Sequence, residues 1–371
     1  MRKTVLLCQM IPAGGGTAFT FGLARGLRQN GCDVYLVLSD KLEARESWEA
    51  LFGQDHIFYV CTHTSAKNLI PRFTSFLLRG IPALKKKFGG ISFDLLIHTM
   101  YHSWNPWIER ALKIRRVAAI DHDPVPHTGV PYLRRKRCLR YYRRMPEVIV
   151  LSRAFVETET EQYGHPKDQV YYMPHGRMDQ YVPEVLPEPL LTGDGVQFLF
   201  FGYAVPYKGL GVLADAYRIV AAERPGKSTL TVASNGDFTP WADAYRSLPA
   251  TTVYNRYIEN EEIPAFFASS RVVAVLPYLD ATQSGVIPIA MEFGVPVVAT
   301  RTGGLTEQLD GGKIGIFAEP GDAASLASAM LRYIDDSAEY ARQREKMYAL
   351  RDSLDWGAVS ERLLGQMFPE Q

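Results

Sequence analysis

Two runs of alternating short apolar and amphipathic segments, separated by a proline-rich stretch, constrain this chain more than any other feature. Thr4–Met10 is strand-like, Ala18–Gln29 is helix-like with Leu23 and Leu27 at i and i+4, and Asp33–Leu38 is strand-like again. That is a βαβ unit. Short apolar segments bounded by turn residues extend it at His56–Val60, Asp94–Thr99, Val117–Ile120 and Val148–Leu151. The second run has strands at Gln197–Phe201, Thr229–Ala233, Thr252–Tyr254, Val272–Pro277 and Pro296–Thr300, with helices over Gly211–Ala222 and Val286–Phe293. Strands that alternate with crossover helices pair in parallel, so the expected fold class is α/β with two doubly wound, Rossmann-like domains.

Pro183, Pro187 and Pro189, followed by Gly193 and Gly195, interrupt the pattern and read as a linker. The expected domains are 1–183 and 184–352. Residues 353–371 carry a lone helix, Trp356–Met367, expected to return and brace the first domain. A chain of 371 residues also exceeds the size at which one core keeps growing. In open α/β sheets ligands sit beyond the carboxyl ends of the strands, so two such domains facing each other enclose a central cleft.

Formal net charge is +1, but residues 1–180 hold 26 Lys and Arg against 16 Asp and Glu, and the remainder holds 15 against 24. A basic half suits an anionic partner such as a phospholipid surface, an acidic acceptor or nucleic acid. No apolar run reaches the roughly 20 residues of a spanning helix, so membrane contact is expected to be peripheral. Met1–Cys8 reads as a first buried strand rather than a secretory leader. Cys8, Cys32, Cys61 and Cys138 lie far apart with no CxxC pair, which points to reduced thiols and a cytoplasmic compartment.

Phe198–Gly202, then Tyr203-Ala-Val-Pro-Tyr-Lys208-Gly209, is a buried strand, a short loop and a lysine just before a helix. Unpaired helix-start N–H groups and an ammonium together make an anion site; a solvated loop lysine is the plainer alternative. Pro277 to Thr300 repeats the arrangement, with Gln283-Ser284-Gly285 as a small-residue turn before a helix. Two anion cradles in one domain suit a diphosphate.

Gly-x5-Lys-Gly, the small-residue turn before Ala290-Met291, Gly294-x-Pro296-Val-Val and Gly303-Gly304-Leu-Thr-Glu307 resemble the retaining GT-B glycosyltransferases of family 4, also called group 1. So do the Gly-rich loop before Leu23-Ala-x-x-Leu27, Pro174-His175-Gly176, and Gly315-Ile-Phe-x-x-Pro320-Gly-Asp322. The resemblance spans nearly the whole chain. It implies a nucleotide-sugar donor on the C-terminal domain, UDP- or GDP-linked by preference, an acceptor on the N-terminal domain, and hexosyl transfer without metal or other cofactor. On that reading Lys208 and the amides of Ser284 and Gly285 hold the diphosphate, with Gly202, Tyr203 and Gln283 beside it. Gly15 and Gly16 let backbone approach the donor from the first domain, and Tyr257 and Ile258 take the nucleobase position. Two glutamates eight residues apart are usual in the family. Ala281 and Ile289 stand in their places, with Asp280 and Glu292 as stand-ins, and no arginine precedes Lys208.

In the first half His122 matches the family histidine near the transferred sugar, followed by Asp123; His98 and His102 follow another strand and are further acceptor-side candidates, with a structural role the plainer reading for both. Prolines at 124 and 126 and the lack of a neighbouring cysteine argue against zinc. Leu133–Met145 carries seven basic residues between Arg134 and Arg144, and Phe73–Phe88 adds Arg79, Lys85, Lys86 and Lys87 among aromatics. Such a surface adsorbs to anionic lipid; nothing else resembles a nucleic-acid module. The resulting expectation is sugar transfer with retention onto a saccharide or lipid-linked saccharide at the inner face of a membrane, in envelope polysaccharide or glycolipid synthesis. The alternative is a catalytically silent homologue that binds a nucleotide, a saccharide or a partner.

Overall fold

The structure is a computed structural model that describes residues 2–369 except 13, 63–68, 126, 129–131, 191–194 and 270, and the side chains of 132–135 lie outside the described set. The strands, in chain order, are β1 (Thr4–Gln9), β2 (Asp33–Ser39), β3 (Ile57–Val60), β4 (Ser92–Phe93), β5 (Leu95–His98), β6 (Lys113–Ile114), β7 (Val117–Asp121), β8 (Glu147–Val150) and β9 (Val170–Tyr172). They continue with β10 (Val196–Tyr203), β11 (Ser228–Asn235), β12 (Thr251–Asn255), β13 (Val272–Leu276), β14 (Val297–Thr300) and β15 (Ile316–Ala318). The chain divides into two units, one of residues Met1–Pro124, Tyr132–Gly176 and Asp355–Gln371, the other of Val125–Pro131 and Arg177–Leu354. The division at Gly176 lies upstream of the proline-rich stretch that marked it in sequence, because Arg177 and Met178 are already bonded to Glu292 of the second unit.

The first unit is built on a seven-stranded parallel sheet in the order β3-β2-β1-β5-β7-β8-β9. Alternate residues of β1 serve opposite faces: Val5 and Leu7 enter one core cluster, Leu6 and Cys8 another. That two-sided burial is what a doubly wound sheet demands of a central strand. The helix Trp356–Met367 supplies Trp356, Val359, Leu363 and Met367 to the first cluster. It packs on the helix Gly15–Gln29, where Gly22 and Gly26 leave room for the Trp356 ring and backbone. Asp355 caps its start by accepting from the Gly357 amide at 2.8 Å.

The second unit repeats the plan with six parallel strands in the order β12-β11-β10-β13-β14-β15. Its helix Leu210–Glu223 buries Leu210, Leu213, Ala214, Tyr217 and Val220, the stripe expected of a helix lying on a sheet. Among the described residues, no helix is long and apolar enough to cross a membrane.

Gly26 and Gly365 should respond oppositely to alanine. In a helix interior Ala is favoured over Gly by roughly 0.5–1 kcal/mol. At Gly26 the new Cβ would lie 2.1 Å from the Trp356 carbonyl oxygen, and overpacking of that kind costs about 1–3 kcal/mol. At Gly365, on the facing helix, it would meet nothing within 4 Å. Urea denaturation should show Gly26→Ala destabilised by about 1–2 kcal/mol and Gly365→Ala stabilised by about 0.5 kcal/mol.

Candidate active site

In each sheet the strand order reverses once, between β10 and β13 in the second unit and between β1 and β5 in the first. Ligand sites of doubly wound sheets lie beyond the carboxyl ends of the strands at that reversal. In the second unit the loops there are 204–209 and 277–285. Gly209 has φ 68°, and a Cβ on it would stand 1.8 Å from the Pro277 carbonyl oxygen, so only glycine closes the two loops. The Leu279 amide donates to the Tyr207 carbonyl at 2.7 Å, and Thr300 Oγ1 to the Tyr278 carbonyl at 2.5 Å. Lys208 Nζ then sits 3.6 Å over the centre of the Tyr278 ring, a cation–π contact that fixes an otherwise mobile side chain. Burial pushes the Tyr278 phenol far above its ordinary pKa, so it stays neutral, with its hydroxyl 3.2 Å from Ser284 Oγ.

The turn before the helix Val286–Glu292 departs from the sequence expectation in one respect. The Ser284 amide is not open to a phosphate: it donates to Gln308 Oε1 at 2.8 Å while Gln308 Nε2 donates to the Ser284 carbonyl at 3.1 Å. Gly285 caps the helix with open space where a Cβ would lie, and Gln283 Oε1 is a buried acceptor without a hydrogen-bond partner among the described residues. Gly202, at φ 136°, and the exposed Tyr203 end β10 beside this turn's strand. Tyr257 is half-buried and Ile258 buried, in a segment tied by Arg256 to Glu262 and to the Tyr257 carbonyl.

Asp280 and Glu292 part company. Glu292 is a correction to the sequence reading, since it cannot replace a sugar- or ribose-gripping carboxylate. Arg177 donates to both its oxygens at 3.0 and 2.7 Å, the Met178 amide adds a third bond, and its side chain is 1% exposed. Burial raises its pKa and Arg177 opposes the rise. Asp280 is a third exposed and accepts from the Thr128 amide at 3.0 Å, with His127 Nδ1 2.7 Å from its other oxygen. Burial pushes its carboxyl upward, but the Thr128 and His127 contacts prevail and hold it below the ordinary carboxylate range.

In the first unit the fifteen-residue helix Gly15–Gln29 starts after Gly14 at φ 89°. A Cβ on Gly15 would meet nothing, while one on Gly16 would touch Met100 Sδ at 3.0 Å. Thr20 Oγ1, whose neighbour Thr99 donates to the Cys8 carbonyl, knits this helix to β1 and β5. His122 Nε2 lies 2.8 Å from the Thr99 carbonyl, and its ring meets Phe19 edge-on at 5.1 Å. Burial lowers the His122 pKa. Asp123 is exposed beside it, its amide on Asp121 Oδ1 at 3.0 Å, and His102 Nδ1 accepts from the Trp104 amide at 3.2 Å. His98 is a second correction: it is wholly buried with Nε2 2.9 Å from Glu109 Oε1, so it belongs to the core beneath the site and not to an acceptor surface. Among the described residues no group of three or more His, Cys, Asp or Glu is placed to hold a metal ion.

Residues 13–177 match the family model described as Glycosyltransferase Family 4, and residues 195–336 match the one described as Glycosyl transferases group 1. The chain belongs to the group 1, family 4 glycosyltransferases. Curated relatives of this glycosyltransferase include the glycogen synthase of Mycobacterium tuberculosis, 27% identical over 223 residues (59% of this chain, 53% of the relative). Another is the mannosylfructose-phosphate synthase of Agrobacterium fabrum, 22% identical over 241 residues (60% and 53%). The chain spans about half the length of these relatives. Among solved structures it is similar to sucrose-phosphate synthase from Thermosynechococcus elongatus (TM-score 0.70, 19% identity, 99% and 98% of the two chains). It is also similar to Anabaena HepE in complex with UDP-glucose (TM-score 0.69, 15% identity, 98% and 99%). The fold is GT-B.

Three residues bonded to members of the candidate site escaped the sequence reading: Gln308, Arg177 and His127. The first two are single polar residues far along the chain from their partners, with no local pattern to mark them. His127 is visible in Pro126-His127-Thr128, but no motif of the sequence gives it a role.

His175, in Pro174-His175-Gly176, yields a pH prediction. Burial, with His122 adding to it, lowers its pKa from 6.5 to about 4. A histidine depressed in the fold contributes full stability above its unfolded pKa and loses it as pH falls toward the folded one. Between about pH 7 and pH 4.5, His175→Gln should therefore lose about 2–3 kcal/mol less stability than wild type, read from denaturant midpoints at each pH.

Proposed function

We propose that this glycosyltransferase moves a hexosyl group from a UDP- or GDP-linked donor to a saccharide or lipid-linked saccharide, with retention at the anomeric carbon and without a metal ion, in envelope polysaccharide or glycolipid synthesis. The observation that carries the reading is the preorganised Lys208, clamped over Tyr278 at the strand reversal of the second unit. As the donor bond breaks, charge grows on the departing diphosphate, and a cation already in place stabilises that charge without reorganising. The similarity to a protein solved with UDP-glucose supports a nucleotide-sugar donor. The acceptor is assigned to the first unit, where Gly15, the His122 loop and Asp123 lie beyond the carboxyl ends of β1 and β7.

Lys208→Ala should lower turnover by roughly two to three orders of magnitude with the fold intact, measured as release of nucleoside diphosphate from a panel of donors. A second reading, a nucleotide-binding homologue without turnover, is favoured by Ala281 and Ile289 and by the engagement of Glu292 with Arg177. Nucleotide-induced thermal stabilisation with no transfer from any donor would establish that second reading.

The lipid-linked acceptor is supported by the first unit's surface. Ile70 and Leu78 are 76% and 71% exposed, and Leu69 and Trp107 are exposed with them. Phe73 contacts Trp107, and Arg110 stands against the same indole. Lys85, Lys86, Lys136, Arg137 and Arg140 are exposed; Lys87 is not a free cation, since it donates to the Gln54 and Ile57 carbonyls. Arg134 and Arg135 lie outside the described side chains. Exposed aliphatics and exposed cations on the same unit favour adsorption to anionic lipid, each charge adding about 1 kcal/mol. Replacing Lys85, Lys86, Lys136 and Arg137 with Gln should weaken sedimentation with anionic vesicles, and high salt should do the same to wild type. Equal binding of wild type to neutral vesicles would remove the electrostatic basis.

A further inference from the structure

Lys208 is the single cation in loop 203–208, a small charge to set against a departing diphosphate of about two to three negative charges. The second unit brings another group to the same place. Segment Val125–Pro131 belongs to this unit although the chain on either side of it belongs to the first. Two of its described residues meet the same carboxylate: His127 Nδ1 lies 2.7 Å from Asp280 Oδ1, and the Thr128 amide donates to Asp280 Oδ2 at 3.0 Å. The imidazole stacks on Tyr207, ring centres 4.1 Å apart and planes 10° from parallel. Lys208 Nζ stands 5.2 Å from the centre of that same Tyr207 ring. Nε2 of His127 is 3.5 Å from Thr282 Oγ1, at the outer limit of a hydrogen bond, and Thr282 leads into the Gln283-Ser284-Gly285 turn.

Charged and titratable groups among the described residues face His127 from two loops. Asp280 comes from the loop after β13, Tyr207 and Lys208 from the loop after β10, and its own segment holds no other titratable residue. A carboxylate in contact with Nδ1 fixes the ring orientation and favours the imidazolium. Lys208 and the 9% exposure of the side chain oppose it. An anion bound between them tips that balance toward the protonated ring, because it faces both cations.

We propose that His127 is the second cation of the diphosphate pocket, an imidazolium whose Nδ1–H is held by Asp280 and whose Nε2–H donates to the phosphate oxygens beside Lys208. Asp280 is then the positioning residue of His127 rather than a carboxylate that grips the sugar. The aromatic stack on Tyr207 holds the ring in plane, as Tyr278 holds Lys208. This inference rests on the reading that Lys208 receives the donor diphosphate.

The test is titration calorimetry of UDP, GDP and ADP against the full chain at about pH 6.5 and about pH 9. His127→Gln should weaken the tightest of the three by about tenfold to a hundredfold at the lower pH, the range for a hydrogen bond to a charged group, and should converge with wild type at the higher. His127→Lys, which keeps its charge at about pH 9, should bind more tightly than wild type there. Asp280→Asn should move the wild-type loss of affinity to lower pH, since the imidazolium loses its carboxylate. A His127→Gln loss of equal size at both pH values, unrelieved by His127→Lys, would show a structural role and overturn the inference. So would weakened binding in Lys208→Ala with none in His127→Gln, and that result leaves the diphosphate reading standing. Absence of nucleotide binding by wild type, or full binding by Lys208→Ala, overturns the diphosphate reading and this inference with it.

Discussion

The close pass of Gly209 against the Pro277 carbonyl is the constraint on which the site in the second unit depends. β10 and β13 are adjacent in the sheet, and the chain leaves both at their carboxyl ends. A side chain at position 209 would force the two loops apart, because the obstacle is backbone and cannot rotate away. With the loops together, the Leu279 amide reaches the Tyr207 carbonyl and Tyr278 lies under Lys208. The missing Cβ at position 209 thus brings the lysine over the Tyr278 ring, which holds its ammonium at the strand reversal.

The two acidic residues near this site show how differently a carboxylate can be used. Glu292 has both oxygens committed to Arg177 and Met178 in a buried setting, where removing one partner of such a pair typically costs about 3–5 kcal/mol. Its task is to anchor the chain just after Gly176 to the helix Val286–Glu292. Asp280 is more exposed, and its partners are an imidazole and an amide of a segment that itself borders the site. Sequence position alone made the two look equivalent; burial and partner chemistry separate them.

The architecture was legible because strand and helix periodicities are local. Every strand expected from an apolar run is present within a residue or two, and Trp356–Met367 is helical over the bounds its pattern indicated. The loop positions of Lys208, Gly209 and Ser284 were legible because each follows a strand, although the Ser284 amide is taken by Gln308. What sequence could not show was polar bookkeeping between distant segments. Gln308 closes off the Ser284 amide from 24 positions away, and His127 meets Asp280 across 153. His98 was ambiguous for a related reason: following a strand is compatible with facing solvent or core, and Glu109, one helix further along, shows which.

The terminal helix bears on the first unit's chemistry through a chain of ring contacts. Trp356 meets Phe19 edge-on at 5.0 Å, and Phe19 meets both His122 and His175 in the same fashion at 5.1 and 5.0 Å. Phe19 lies in the helix Gly15–Gln29, whose glycines admit Trp356, and His122 lies just beyond β7. Edge-to-face geometry presents ring hydrogens to a π face, so it favours a neutral imidazole packed as an aromatic, in keeping with the burial that lowers both histidine pKa values. The helix Trp356–Met367 therefore reaches His122 through Phe19, and a loosened Trp356 would disturb the His122 loop as well as the core cluster of the sheet.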